Sequence, residues 1–370
     1  MTRMEPNYAQ RVAKAQQLMK EQQIDYAIIG VGTDMFYMTG YEKRPSERLT
    51  CLVVSKTKDS FMITSFFEAA RLTQVKTFYS ILTWKETEDP MNLLRKVIDP
   101  SERTRIAVDE RGWAIFLLRM QKALPRAEWT SANTVIGPLR MIKDEYEIER
   151  LREGGRRADR LYEQILQLKF SGKTERQLGE EIFELAKEMK MNPARPAGIA
   201  SGPNGMSPHH NSSDRVIRAG DGVWMEIGCG GNVNGYVIDK TRSVQVNPAT
   251  DRFKQIYRIV EAAHQAAFRY VRPSVTCESV DAVARKVISD AGFGEYFTHR
   301  LGHGLGLDTH EEPYMVEGNT LQLKEGMVFS DEPGIYLPNE FGIRIEDIIT
   351  VTKSGAERFF HSTHELQTVA

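Results

Sequence analysis

The residues of this chain best equipped for chemistry lie in its second half. All eight histidines fall from His209 onward, and acids interrupt apolar, strand-like runs: Glu226 and Asp239 in VWMEIGCGGNVNGYVIDKTRSV, Asp331 and Glu332 in GMVFSDEPGIYL, Glu346 and Asp347 in GIRIEDIITVT. A solvated charge face would instead line one side of a helix. An ionised carboxylate inside a sheet is costly unless it is solvated, paired or bound to a cation. His303 adds an imidazole among the glycines of GHGLGL, where the backbone can approach a ligand closely. One imidazole with several carboxylates is an oxygen-rich donor set, suited to Mn, Co, Fe or Zn in a site that keeps water and poorly suited to a closed structural zinc. With two ions, carboxylates bridge and a shared water becomes a nucleophile near neutral pH.

Positioning these acids falls to the runs GVWMEIG, YVIDKTRSVQV, GMVFSDEPGIYL and GIRIEDIITVT, which read as strands. Between them, Ile148, Leu151, Gly155, Ala158, Leu161, Ile165 and Leu168 recur at helical spacing and predict one long helix through RMIKDEYEIERLREGGRRADRLYEQILQL. Thr174, Thr250 and Thr276 stand where helix N-caps belong. This half therefore reads as helices over a mainly antiparallel sheet, an α+β domain. The first half alternates strands such as DYAIIGV, LTCLVVS, SFMIT and RIAVDE with helical segments, the pattern of a layered α/β domain. Nothing like GxGxxG follows any of its strands, so it reads as scaffold rather than dinucleotide site. The boundary is placed near residue 136, giving domains 1–135 and 136–370.

Charge is nearly balanced, 49 basic against 50 acidic residues with no long block of one sign, which disfavours nucleic acid as a partner. Cys51, Cys229 and Cys277 are far apart, odd in number and without metal-like spacing, as expected of buried thiols in a reducing compartment. The N-terminal stretch is polar and amphipathic, and no run of about 18 apolar residues occurs. A soluble, cytoplasmic protein with no membrane partner is expected.

The order of these motifs resembles the pita-bread metallopeptidase family, which includes methionine aminopeptidases, aminopeptidase P, prolidases and the metal-free creatinases. SGPNGMSPHHNSSDRVIRAGD, GYVIDKTRS, HRLGHGLGLDTHEEP, GMVFSDEPGIY and GIRIEDIITVT carry the resemblance and fall in family order. Residues 1–135 look like the extra N-terminal domain of the prolidase, aminopeptidase P and creatinase branch, which methionine aminopeptidases lack. The resemblance implies a creatinase-like α/β N-terminal domain followed by an α+β pita-bread domain. It implies one or two divalent metal ions, manganese or cobalt foremost, with zinc or iron as alternatives. Asp239 would be a bridging ligand, His303 and Glu332 ligands of one ion, and Glu346 the second bridge, with Glu332 also taking the proton of the attacking water. His209 and His310 would flank the metals and bind substrate as hydrogen-bond donors. Arg344, two residues before Glu346 on the same strand face, would pair with a substrate carboxylate.

Two departures from the family pattern stand out. Glu226 occupies the place of the first metal-binding Asp, so that the family's DxG reads EIG, and its spacing to Asp239 is two residues longer than usual. As a ligand it would reach the second ion with one extra methylene; otherwise it marks a branch with altered chemistry. Asp331 stands where the family has a neutral residue and is expected as an outward-facing, solvated acid. His210 competes with its neighbour His209 for the functional role, while His264, His361 and His364 are assigned to structure or solvent, and Trp224 and Tyr236 to the core. The expected activity is hydrolysis of the C–N bond of Xaa-Pro dipeptides, or of N-terminal Xaa-Pro in peptides, by a homodimer. The alternatives are a relative acting on a small zwitterion, in the manner of ectoine hydrolase, creatinase or dimethylsulfoniopropionate lyase, and, more distantly, a non-catalytic binding module.

Overall fold

The β-branched runs of the first half pair into one six-stranded sheet in the computed structural model, which describes residues 5–72, 78–228, 232–233 and 235–370. Its spatial order is Tyr79–Trp84, Ser60–Ser65, Cys51–Ser55, Tyr26–Gly30, Arg105–Val108, Glu128–Ser131. Tyr26–Gly30 runs antiparallel to Cys51–Ser55 and parallel to Arg105–Val108, so the sheet is mixed. Ile28, Val53, Ile63 and Ile106 form a core with Leu94 of helix Met91–Val97 and Met120 of helix Ala114–Ala123. This is the expected α/β layering, and it reaches further than expected. Strand Glu128–Ser131 and helix Asn133–Met141 complete it, and the chain divides between Arg140 and Met141 instead of near 136. Pro138 lies inside that helix, where a sequence pattern reads as a stop.

In the unit Met141–Ala370 the long helix starts at Glu145 rather than at the beginning of RMIK, because Asp144 caps it. The Asp144 carboxylate accepts from Glu147 N at 2.9 Å while Glu147 Oε2 accepts from Asp144 N at 3.0 Å, a reciprocal capping box. Thr174, Thr250 and Thr276 each accept from the backbone N–H three residues on and start helices Glu175–Glu188, Asp251–Tyr270 and Cys277–Asp290. Two sheets lie with these helices. One is ordered Gln367–Val369, Thr241–Val246, Gly222–Glu226, Gly198–Ser201; the other Glu311–Met315, Gly302–Gly304, Val328–Asp331, Asp347–Val351, Ala356–Arg358. All their pairings are antiparallel except that of Thr241–Val246 with Gln367–Val369. Val260 and Ala263 of one helix and Val280 and Ala284 of the next bury the second sheet through Phe329 and Ile349. The unit is the expected α+β arrangement of helices over mainly antiparallel sheets.

Runs that read as continuous strands are broken at their acids. GMVFSDEPGIYL divides into Val328–Asp331 and Gly334–Leu337, leaving Glu332 between them. GIRIEDIITVT divides into Phe341–Arg344 and Asp347–Val351 around Glu346, and Asp239 lies between Tyr236–Val237 and Thr241–Val246.

Asp331 corrects an expectation. It is fully buried and pairs directly across the sheet with Asp347, under helix Asp251–Tyr270, whose His264 Nε2 lies 3.8 Å from its Oδ2. Neighbouring strand residues face opposite ways, so turning Glu332 and Glu346 to one side sends Asp331 and Asp347 to the other. Asp347 is neutralised there by Arg242 at 2.6 Å, His364 at 2.6 Å and Arg358 at 3.3 Å. Burial pushes Asp331 well above the usual carboxylate range, offset only in part by Arg358. Although His264, Asp347 and His364 are close enough to share an ion, two guanidiniums already balance the two acids. Cys51 and Cys277 are buried free thiols, both pushed up to about 12 by burial; Cys229 lies outside the described residues. Trp224 and Tyr236 are buried, as expected of core aromatics.

Candidate metal centre and active site

The strand interruptions send four side chains to one point. His303, on the short strand Gly302–Gly304, is 4 % exposed; its Nδ1 faces the carbonyl of Gly304 at 3.1 Å, which leaves Nε2 for the centre. Nε2 lies 3.2 Å from Glu332 Oε1 and 3.9 Å from Asp239 Oδ2. Asp239, His303 and Glu346 offer ligand atoms that all lie within 4.8 Å of one another. Glu346 is fixed by Thr241, whose Oγ1 donates to Glu346 Oε2 at 2.6 Å.

Electrostatics agree with a cation at this point. Burial and the neighbouring carboxylates of Glu226 and Glu332 push Asp239 well above its ordinary range, and burial with Asp239 and Glu332 does the same to Glu346. Glu332 is also pushed up by burial, but the His303 hydrogen bond and charge prevail and hold it down at about 2. Burial pushes His303 down, and Glu332 outweighs this and raises it. Like-charged carboxylates crowded around one imidazole are relieved by a positive charge at their centre. The donor set therefore fits a divalent ion.

A cavity of about 440 Å³ opens over these groups, and the eight residues given a ligand, catalytic or substrate-binding role from the sequence border it: His209, Glu226, Asp239, His303, His310, Glu332, Arg344 and Glu346. His310 stands edge-on to His303, ring centroids 4.1 Å apart, and is lowered by burial and then by the charges of His303 and Arg300. His209 and His210 differ in position. His210 Nε2 is 2.8 Å from Glu175, a fully buried carboxylate that also accepts from Ser201 and Ser213, whereas His209 is exposed to the cavity.

Two residues behave otherwise than their motifs suggest. Glu226 ends strand Gly222–Glu226 opposite Gly198, and its Oε1 accepts from Arg195 Nη2 at 2.6 Å. A Cβ at 198 would lie 3.4 Å from Glu226 Oε2, an ordinary van der Waals contact, so the backbone of this strand runs directly beside the acid. Arg344 donates through Nε to Thr241 Oγ1 and through Nη1 to the Pro208 carbonyl, both at 3.0 Å, and its guanidinium lies 5.0 Å over the Trp224 ring. Two of its five N–H donors are thus engaged by the protein, and the rest of the guanidinium still borders the cavity.

Sequence reasoning missed Arg195, His299 and Arg300, which also border the cavity. His299 Nδ1 lies 2.7 Å from the Arg300 carbonyl and Nε2 2.9 Å from the Tyr336 hydroxyl. Arg195 sits in a segment without periodicity, whereas His299 and Arg300 open the motif HRLGHGLGLDTHEEP, where their nearness to His303 in sequence was the available signal.

Comparison with known proteins gives a consistent result. The pattern of the Creatinase/Prolidase N-terminal domain matches residues 11–142, and that of Metallopeptidase family M24 matches residues 149–353. A probable dipeptidase PepE from Mycobacterium tuberculosis is 37% identical over 362 residues, 97% of this chain and 96% of its own length. An Xaa-Pro dipeptidase from Lactobacillus delbrueckii is 32% identical, covering 96% of this chain and 97% of its own. Among solved structures, a prolidase from Thermococcus sibiricus superposes with a TM-score of 0.91 at 32% identity, over 99% of this chain and 100% of its own.

Proposed function

Because the chain belongs to metallopeptidase family M24, we propose that it is a metal-dependent dipeptidase that hydrolyses the bond between a residue and a following proline. The observation that carries this reading is the convergence of Asp239, His303, Glu332 and Glu346 beneath a cavity bordered by His209 and His310. These four side chains would hold the metal, with manganese or cobalt suited to so oxygen-rich a set. A bound divalent ion supplies Lewis-acid polarisation of the scissile carbonyl and lowers the pKa of a water toward neutrality.

The chain's own residues do the rest. Glu332, ionised at neutral pH, takes the proton of the attacking water and passes it to the leaving imino nitrogen. His310, lowered in pKa and so neutral near pH 7, donates a hydrogen bond to the developing oxyanion, with His209 on the same cavity wall. Thr241 and Arg344 keep Glu346 in place from behind. Glu226, whose Oε1 is held by Arg195, would offer its other carboxylate oxygen to a second ion.

We read the protein as a homodimer in the cytoplasm, acting on small peptides. Among the described residues, no helix is long and apolar enough to cross a membrane. Metal analysis of protein purified without chelator, with turnover of a panel of Xaa-Pro dipeptides, tests the proposal. Stoichiometric metal and Xaa-Pro cleavage support it, and a metal-loaded protein inert to every dipeptide rejects it. Light scattering that finds only monomer would reject the dimer.

A further inference from the structure

A dipeptide carries a free carboxylate beside its imide bond, and a cavity that prefers dipeptides needs a cation to receive it. Three arginines border this cavity: Arg195, Arg300 and Arg344. Arg344 is buried and its Nε and Nη1 are engaged by Thr241 and Pro208. Arg195 is held by Glu226 at 2.6 Å. Arg300 is different. Its guanidinium lies 4.2 Å over the Tyr314 ring, and among the described residues it has neither a carboxylate within ion-pair distance nor a hydrogen-bond acceptor.

The backbone that presents Arg300 is pinned on both sides. Its own carbonyl lies 2.7 Å from His299 Nδ1, the His299 carbonyl accepts from Arg285 Nη2 at 2.9 Å, and Leu301 N donates to Asp281 Oδ1 at 2.8 Å. The aromatic face of Tyr314 supports the guanidinium from one side by cation–π contact and leaves its donor edge open. A guanidinium positioned in advance and not neutralised by the protein is the group a carboxylate would find first.

We propose that Arg300, braced on Tyr314, anchors the free C-terminal carboxylate of the substrate and thereby selects dipeptides over longer or amidated peptides. This assignment rests on the peptidase reading above. It places the proline carboxylate toward Arg300 and the scissile carbonyl toward His303 and Glu332, three and thirty-two positions along the chain.

The test compares an Xaa-Pro dipeptide with the same dipeptide as its C-terminal amide. The wild type is expected to favour the acid in kcat/KM, and in Arg300→Ala that preference falls about tenfold or more, through KM rather than kcat, as loss of a charge-assisted contact requires. Arg300→Lys recovers part of the preference, and Tyr314→Leu gives an intermediate loss. An acid-to-amide ratio unchanged by Arg300→Ala overturns the assignment while leaving the peptidase reading intact. Calorimetric binding of N-acetylproline and of its amide separates the converse case. Carboxylate-dependent binding that disappears in Arg300→Ala, in a protein that cleaves no peptide, sustains Arg300 and sinks the peptidase reading; no such binding by the wild type overturns Arg300.

Discussion

At the scale of single residues, the site is governed by how far each carboxylate can reach. Glu226 extends one methylene beyond an aspartate, and Arg195 meets that extra length, donating to its Oε1 at 2.6 Å. A guanidinium and a metal ion compete for the same carboxylate. Shortening the side chain in Glu226→Asp breaks the contact with Arg195 and returns the oxygen to the cavity, so the affinity for a second ion is expected to rise by roughly tenfold, the order of one charge-assisted contact. Titration calorimetry with manganese reads this directly; a fall in stoichiometry would show that the longer side chain is itself the ligand. The substitution at 226 is visible in the sequence, because EIG stands where DxG is expected. Its partner is not, because Arg195 lies 31 positions away in a segment without periodicity. Arg344 illustrates the opposite case: its position two residues before Glu346 suggests a clamp, while a hydroxyl and a carbonyl from distant segments that the sequence does not reveal engage two of its five donors.

At the scale of elements, strand interruptions decide which acids meet. Alternation alone separates Glu332 from Asp331 and Glu346 from Asp347, one pair toward the cavity and the other into the sheet's covered face. That division was open to inference from the period of two, and Pro333-Gly334 marked the break after Glu332, but RIED carries no such signal and reads as an unbroken strand. Helix caps were legible because an N-cap is a local event, one hydroxyl and the N–H three residues on. Strand Glu128–Ser131 and helix Asn133–Met141 escaped notice because the first is short and polar and the second contains Pro138.

Close backbone approach fixes another part of the site. Cβ atoms built on Gly205 and Gly342 would meet the opposite backbone at 2.5 and 1.9 Å, which seats the turn Gly202–Met206 against strand Phe341–Arg344. Gly342→Ala is expected to cost about 1–3 kcal/mol by overpacking, measured as a lower urea midpoint with unchanged slope. It should also raise KM, because Arg344, two residues on, donates to the carbonyl of Pro208, the residue before His209. Glu175 ties the His209 segment from the other side through Ser201, Ser213 and His210. Burial pushes its pKa up, but these hydrogen bonds prevail and lower it. A depressed folded pKa contributes stability above the unfolded value, about 4.3 for a glutamate, and that contribution is lost as pH falls through the folded value. Glu175→Gln should therefore be less stable than the wild type at pH 7, with the gap closing below about pH 4. A gap independent of pH would place the cost in packing rather than charge.

At the scale of the whole molecule, burying several carboxylates around one imidazole makes the unit Met141–Ala370 dependent on what binds there. A ligand that binds the folded state alone stabilises it by RT ln(1 + [L]/Kd), about 2.7 kcal/mol at a hundredfold excess over Kd. For a unit of this size each kcal/mol moves the melting temperature by about 2–4 °C. Manganese added to chelator-treated protein should therefore raise the transition of this unit by roughly 5–11 °C. Trp224, buried beside Arg344, is the one tryptophan of the unit; Trp84, Trp113 and Trp129 belong to the other. Replacing those three by Phe makes fluorescence a reporter of the metal-binding unit alone. His303→Ala removes the nitrogen ligand and should abolish the shift, because the remaining oxygens hold a dication more weakly than the complete set. A shift that persists in His303→Ala would place the stabilising ion elsewhere, and none in the reporter protein itself would mean that these carboxylates are not gathered for a metal.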